Sequence, residues 1–257
     1  MKLSFFKYQG TGNDFVMVDN RNNAFPKKDF ERVAFLCDRR FGIGADGLIL
    51  LEGSEGDYNM VYYNADGRPG SMCGNGGRCL VAFARDLGLV ADKMEFNAVD
   101  GKHKASIMGD TVSLQMQDVT DIVHRPKAVF LDTGSPHHVQ IVEDLFHFDV
   151  AKEGAKLRYG IYGEPGSNIN FVQPRDDGSF AVRTYERGVE AETLSCGTGV
   201  TAVALAMHAA GILSSEPAVI NAQGGELKVR FTCIDGSYTE VFLIGPARKV
   251  FKGYIEW

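Results

Sequence analysis

The sequence predicts an α+β protein, α/β in the broad sense, built from two homologous halves. Each half has many short strands wrapped around one central helix. Three observations carry this: glycine-punctuated strand runs along the whole chain, only two long apolar helices, and internal self-similarity.

LSFFKY, FVMVD, LILLE, MVYYN and KASIM read as strands in the first half. VFLD, VQIVED, NFVQP, AVRTY, LKVRF and EVFLIG do so in the second. The long helices span roughly residues 74–87 and 197–210. Both are apolar nearly all round, so each must be enclosed by other structure. Two short outer helices are expected near residues 28–39 and 151–158.

The repeat lies around the long helices. In each half a strand leads through a polar loop into Cys-Gly-x-Gly, then an apolar helix ending in Gly. Cys73 to Gly88 and Cys196 to Gly211 both span 15 residues. Asn97-Ala98 and Asn221-Ala222 are offset by 124, the two cysteines by 123, and Gly12 and Gly134 by 122. Landmarks at nearly one offset imply duplicated halves. The expected division is residues 1–118 with 250–257, carrying Cys73, and residues 119–249, carrying Cys196. The aromatic tail FKGYIEW, with Trp257, is expected to return to the first half.

Composition narrows the function. The chain has 257 residues, 44% hydrophobic and 23% charged, as an ordinary globular protein of one large or two small domains has. Lys and Arg number 27 against 33 Asp and Glu, a net charge of -6, which gives no electrostatic case for nucleic acid or an anionic membrane. The N-terminus lacks signal-peptide character. The longest apolar stretch, Val200 to Leu213, has 14 residues, too few to span a bilayer. Five cysteines, an odd number at low density, suit reduced thiols in the cytoplasm. There is no Cys-x-x-Cys pair, and no metal site is expected. His137-His138 lacks acidic or Cys partners at ligand spacing. GIGADG, Gly42 to Gly47, matches a dinucleotide fingerprint, but a strand-like run follows it where a helix is required.

Cys73 and Cys196 carry the chemistry. Each is expected at the N-terminus of a buried helix, where N–H groups and the positive end of the dipole gather. Such a place holds a carboxylate. It also brings a thiol from ~8.5 into the range of ~3.5 to 7.5. Two thiols related by pseudo-symmetry suggest more than a nucleophile. One thiolate removes a proton from one side of a carbon while the opposite thiol returns one, which inverts a stereocentre without cofactor or metal. The plain alternative is two small buried apolar residues.

These residues resemble the diaminopimelate epimerase family. The most specific matches are YNADG before MCGNGGRC and YERG before ETLSCGTG; GTGNDFVMVDNR, RRFGIGADG, GSPHHV and GSNINF add to them. The resemblance covers essentially the whole chain. It implies two pseudo-symmetric halves, each a barrel-like, mostly antiparallel sheet around a central helix, with the site in the cleft between them. It implies a cofactor-independent epimerase that interconverts LL- and meso-diaminopimelate for lysine and peptidoglycan biosynthesis, commonly as a homodimer. Cys73 and Cys196 match the family's acid–base pair. Gly74, Asn75, Gly197 and Thr198 match substrate contacts at the helix starts. Asn13, Asn64 and Asn168 match substrate-binding asparagines, and Glu186 and Arg187 match a pair at the substrate. His137 and Glu186 match residues that tune the thiols, since a carboxylate raises a thiol pKa and a protonated imidazole lowers it.

Three departures stand out. Ser135 stands where many members carry Asn, and Gly47 where some carry Gln. GVEAET is one residue longer than the commoner loop. Asp14, Asp46 and Asp66 read as turn caps. Three rival functions remain. One is a proline or hydroxyproline racemase of the same architecture, which usually has Cys-Gly-His-Gly at the first site, and another a thiol-redox protein pairing Cys73 with Cys196. A non-catalytic amino-acid-binding protein is a third.

Overall fold

The computed structural model describes residues 2–213 and 216–256; Trp257 of the aromatic tail lies outside them. The chain divides into two compact units, Met1–Leu114 with Gly245–Trp257, and Gln115–Ile244.

The first unit runs β1 (Lys2–Gly10), β2 (Asn13–Asp19), α1 (Phe30–Cys37), β3 (Gly47–Ser54), β4 (Asp57–Asn64), α2 (Gly74–Asp86), β5 (Lys93–Ala98), β6 (Gly101–Met108) and β7 (Thr111–Gln115). The second runs β8 (Ile122–Arg125), β9 (Ala128–Asp132), β10 (Pro136–Ile141), α3 (Val150–Gly160), β11 (Asn168–Pro174), β12 (Phe180–Glu186), β13 (Ala191–Thr193), α4 (Gly197–Ala209), β14 (Ala218–Ala222), β15 (Gly225–Ile234) and β16 (Ser237–Pro246). The last strand, β17 (Arg248–Glu256), belongs to the first unit and pairs antiparallel with β1.

The two ladders have the same signs. In the first unit β17-β1-β2 is antiparallel, β2-β3 parallel, β3-β4 antiparallel, β4-β5 parallel, and β5-β6-β7 antiparallel. In the second, β8-β9-β10, β10-β11, β11-β12, β12-β14 and β14-β15-β16 repeat that series. A parallel pair needs a long crossover. Each crossover here carries a helix: α1 and α2 in the first unit, α3 and α4 in the second.

The barrel-like sheet expected from the resemblance is open. Among the described residues no pairing joins β17 to β7 or β8 to β16. The strands of each unit instead lie around that unit's central helix. α2 meets β1, β2, β3, β4, β6 and β17; α4 meets β9, β10, β11, β12, β14 and β15. Leu80, Val81 and Phe83 of α2 and Val203, Leu205 and Ala206 of α4 are fully buried. Burying a large apolar side chain contributes ~2 kcal/mol, so enclosure holds these helices more than propensity does.

Both helices stop the same way. Gly88 and Gly211 follow their C-caps with φ of 73° and 71°. Gly88 N–H bonds to Arg85 O and Leu89 N–H to Ala84 O; Gly211 N–H bonds to His208 O and Ile212 N–H to Met207 O. This left-handed stop favours glycine. Among the described residues no helix is long and apolar enough to cross a membrane.

Candidate active site

Cys73 and Cys196 are the N-cap residues of α2 and α4, with φ, ψ of -118°, 115° and -114°, 111°. The outer helices α1 and α3 are capped by Asp29 and Asp149, whose carboxylates accept the N–H of Arg32 and Lys152. Aspartate, asparagine and serine are the preferred caps. Cysteine at both enclosed helices therefore points to chemistry. Cys73 is half-buried and its Sγ accepts from Gly76 N–H at 3.4 Å. Cys196 is buried. The first turns begin with Gly74 and Asn75, and with Gly197 and Thr198, all buried.

In the first unit, polar side chains converge on Cys73. Asn13 opens β2. Its Nδ2 donates to Asp46 Oδ2 at 2.7 Å, which turns Oδ1 toward Cys73 Sγ at 3.6 Å and Asn75 Nδ2 at 3.2 Å. Asn75 Oδ1 accepts from Arg78 Nη2 at 2.9 Å. Arg78 is fully buried and also donates to Thr11 Oγ1. Burial brings its pKa down to about 10, so it keeps its charge at neutral pH. Asn64 ends β4 opposite Gly47 and is exposed at a turn closed by Gly67 N–H to Asn64 O.

In the second unit, Thr198 Oγ1 lies 3.4 Å from Cys196 Sγ and 3.2 Å from Ser135 Oγ. Ser135 Oγ also meets His137 Nε2 at 3.0 Å and Asn168 Nδ2 at 3.2 Å. Asn168 opens β11, and its Oδ1 accepts from Arg187 N–H at 2.9 Å. Glu186 ends β12 and its Oε2 accepts from Thr193 Oγ1 at 2.9 Å. Arg187 is exposed and its Nη1 donates to Pro165 O. His137 is fully buried. Burial, then the Arg187 charge, pushes its pKa down to about 3. It is therefore neutral, and the protonated imidazole that would lower a thiol pKa by its charge is not present. His138, the next strand residue, points to the other face and bonds to Tyr162 Oη.

Sequence reasoning read Asp46 as a turn cap and did not single out Arg78, Asn170 or Thr184. Asp46 fixes the Asn13 amide. Arg78 carried a signal: a cation just ahead of the apolar run Cys79–Ala84, inside a helix expected to be enclosed. Asn170 carried another, two positions from Asn168 on one strand and so on the same face.

The model of the family described as diaminopimelate epimerase matches residues 5–122 and 129–250. The chain belongs to the diaminopimelate epimerase family. It is 55% identical to the diaminopimelate epimerase of Flavobacterium psychrophilum over 253 residues, covering 97% of this chain and 99% of that one. It is 42% identical to that of Chlorobaculum tepidum over 257 residues, covering 96% and 98%. Two solved structures share the fold. A Bacillus anthracis phenazine biosynthesis protein of the PhzF family has a TM-score of 0.77 at 14% identity, covering all of both chains. A hydroxyproline epimerase from Agrobacterium vitis has 0.72 at 15%, covering 99% and 92%.

The departures from the family pattern have local reasons. Ser135 reaches Thr198, His137 and Asn168. At Gly47 a Cβ would lie 2.5 Å from the Tyr62 ring and 2.6 Å from Tyr63 O, so no side chain fits while Tyr62 holds that space. The longer loop turns at Glu190, whose φ is 57°.

Proposed function

We propose that the chain interconverts LL- and meso-diaminopimelate by two-base proton transfer, with Cys73 and Cys196 as the acid–base pair. The carrying observation is the repetition: two units of one topology each put a cysteine at the N-cap of an enclosed helix, among aimed polar side chains. The reading requires both sulfurs to serve one substrate molecule.

In the forward step a thiolate takes the α-proton, forming an S–H bond as the C–H bond breaks. The electron pair moves into the α-carboxylate. First-turn N–H groups, at Gly74 and Asn75 or at Gly197 and Thr198, stabilise that charge. The other thiol then gives its proton to the opposite side of the carbon, and the two sulfurs end with exchanged protonation states. The residues supply acid, base and anion binding, so the proposal calls for no cofactor.

Asn13, Asn64, Asn168, Glu186 and Arg187 are assigned to the substrate's ammonium and carboxylate groups, which need acceptors and donors respectively. His137 and Glu186 are assigned to tuning the thiols, His137 as a neutral hydrogen-bonding group. Family membership supports diaminopimelate over a proline-type substrate, and Asn75 in CGNGG replaces the histidine of the racemase pattern. Reduced thiols support a cytoplasmic enzyme of lysine and peptidoglycan biosynthesis, and a homodimer is its proposed form.

The test is proton NMR of LL-diaminopimelate with reduced protein in heavy water, with L-proline alongside. The reading expects loss of the α-proton signal and appearance of the meso isomer. Exchange on proline alone moves the chain to the racemase branch, and exchange on neither, with free thiols verified, defeats the reading.

A further inference from the structure

Two thiols that exchange a proton through one substrate must stand in opposite protonation states. Two units of one topology would by themselves give them equal surroundings. The second unit holds a hydrogen-bond chain whose direction can be assigned atom by atom, and the first unit has apolar side chains in place of its first two members, Asn170 and His137.

The chain begins at Asn170, fully buried in β11. Its Nδ2 donates to His138 O at 3.0 Å, and its Oδ1 accepts from Thr184 Oγ1 at 2.9 Å. A carbonyl only accepts, so the orientation of the amide is fixed. The same Nδ2 lies 3.1 Å from His137 Nδ1, which must therefore accept. Burial keeps this imidazole neutral, so its single proton sits on Nε2. Nε2–H then donates to Ser135 Oγ at 3.0 Å. Asn168 Nδ2 donates to the same oxygen at 3.2 Å, since its own Oδ1 is taken by Arg187 N–H. Both lone pairs of Ser135 are filled. Its proton goes to Thr198 Oγ1 at 3.2 Å, which leaves the Thr198 proton for Cys196 Sγ at 3.4 Å.

We propose that Asn170 is a positioning residue that, through His137, Ser135 and Thr198, keeps a hydroxyl donor aimed at the Cys196 sulfur. This rests on reading Cys196 as one of the two acid–base thiols. A donor aimed at sulfur favours its thiolate form. The packing agrees. A Cβ on Gly199 would fall 2.5 Å from Asn170 Oδ1, so glycine at that helix position admits the amide. In the first unit Phe15 pairs with Gly47 as His137 pairs with Asn168, which puts Phe15 in the place of His137 and Ile49 in that of Asn170. The chain is thus confined to one thiol and breaks the pseudo-symmetry.

Two readouts test this without diaminopimelate. Long-range nitrogen–proton NMR reports the His137 tautomer. Iodoacetamide labelling at pH 7, read by peptide mass spectrometry, reports Cys196 thiolate. The parent protein should show the Nε2–H tautomer. Asn170→Asp offers only acceptors to Nδ1 and should move the proton there. Labelling of Cys196 should fall about tenfold in Asn170→Asp and in Ser135→Ala, the loss expected from one charge-assisted hydrogen bond. The double variant should fall no further, because both act along one chain. An Nδ1–H tautomer in the parent, unchanged Cys196 labelling in Ser135→Ala, or additive losses would overturn the proposal; additivity is what a direct charge effect of the new aspartate gives. The parent tautomer and Ser135→Ala decide the matter even if Asn170→Asp does not fold. A protein with the expected tautomer and labelling but no epimerisation would keep the chain and lose the functional reading.

Discussion

Asn13 and Ser135 occupy the same place in the two units, yet only Asn13 reaches its cysteine directly. Each follows a glycine of positive φ, Gly12 at 83° and Gly134 at 100°. Asn13 Oδ1 lies 3.6 Å from Cys73 Sγ, whereas the shorter Ser135 meets Cys196 by way of Thr198 Oγ1. Asn13→Ser should therefore cost more than Ser135→Asn. Losing the contacts to Cys73 and Asn75 should lower kcat/KM for LL-diaminopimelate by roughly tenfold to hundredfold, the worth of one or two aimed hydrogen bonds. Ser135→Asn, which installs the residue common in the family, should stay within about tenfold of the parent. Steady-state kinetics of both variants checks the order.

Gly76 and Gly199 are equivalent positions with different neighbours. A Cβ on Gly76 would meet Ile49 Cδ1 at 2.8 Å and Met60 Cε at 3.1 Å, both flexible ends of side chains. A Cβ on Gly199 would meet the anchored Asn170 amide at 2.5 Å. Gly76→Ala should change stability by less than about 1 kcal/mol, because helix propensity offsets the crowding. Gly199→Ala should lose at least about tenfold in kcat, since small misplacements at a site are amplified. Urea unfolding and kinetics on the same samples separate the two effects.

The first unit should be acid-labile through Asp14. Burial raises its pKa, but hydrogen bonds from Arg39 and Lys7 outweigh this and hold it down to about 2. A carboxylate depressed in the folded state stabilises the fold above its unfolded value near ~3.9, and that contribution is lost as pH falls toward about 2. Urea midpoints should drop between pH 4 and pH 2, and drop less in Asp14→Asn. At pH 7 that variant should cost about 3 kcal/mol, because the buried Lys7 loses its partner.

Thiol labelling should sort the cysteines. Burial pushes the Cys37 and Cys79 thiols up to about 12. Both should stay unlabelled by iodoacetamide at pH 8 in folded protein, while Cys73 and Cys196 react. Peptide mass spectrometry gives the order directly. Labelling of Cys79 ahead of Cys73 would contradict the assignment.

The sequence made the central helices legible because three signals coincide there: Cys-Gly-x-Gly, a mostly apolar run and a stop glycine. Every quoted strand run lies in a strand, though VQIVED is strand only to Ile141. The shorter strands β5, β7, β8, β13 and β14 were not legible. β8 has little buried surface and β13 has three residues, so neither shows an alternation of period two. β5 and β14 pair in parallel with distant partners, which local pattern does not encode. The residues nearest each sulfur were readable by motif. The direction of the Asn170–Cys196 chain was not, because it depends on which atom of each amide and imidazole is already occupied.

The central claim is that two different thiols serve the two sides of one α-carbon. It is tested most directly by following the first turnovers of LL-diaminopimelate in heavy water by NMR and mass spectrometry. The account predicts that meso product forms with deuterium at the inverted centre while unreacted LL substrate keeps its proton. It also predicts that Cys73→Ala and Cys196→Ala each lower epimerisation by at least about 10³-fold. Substrate exchange as fast as inversion, or near-normal epimerisation with either cysteine replaced, would contradict it.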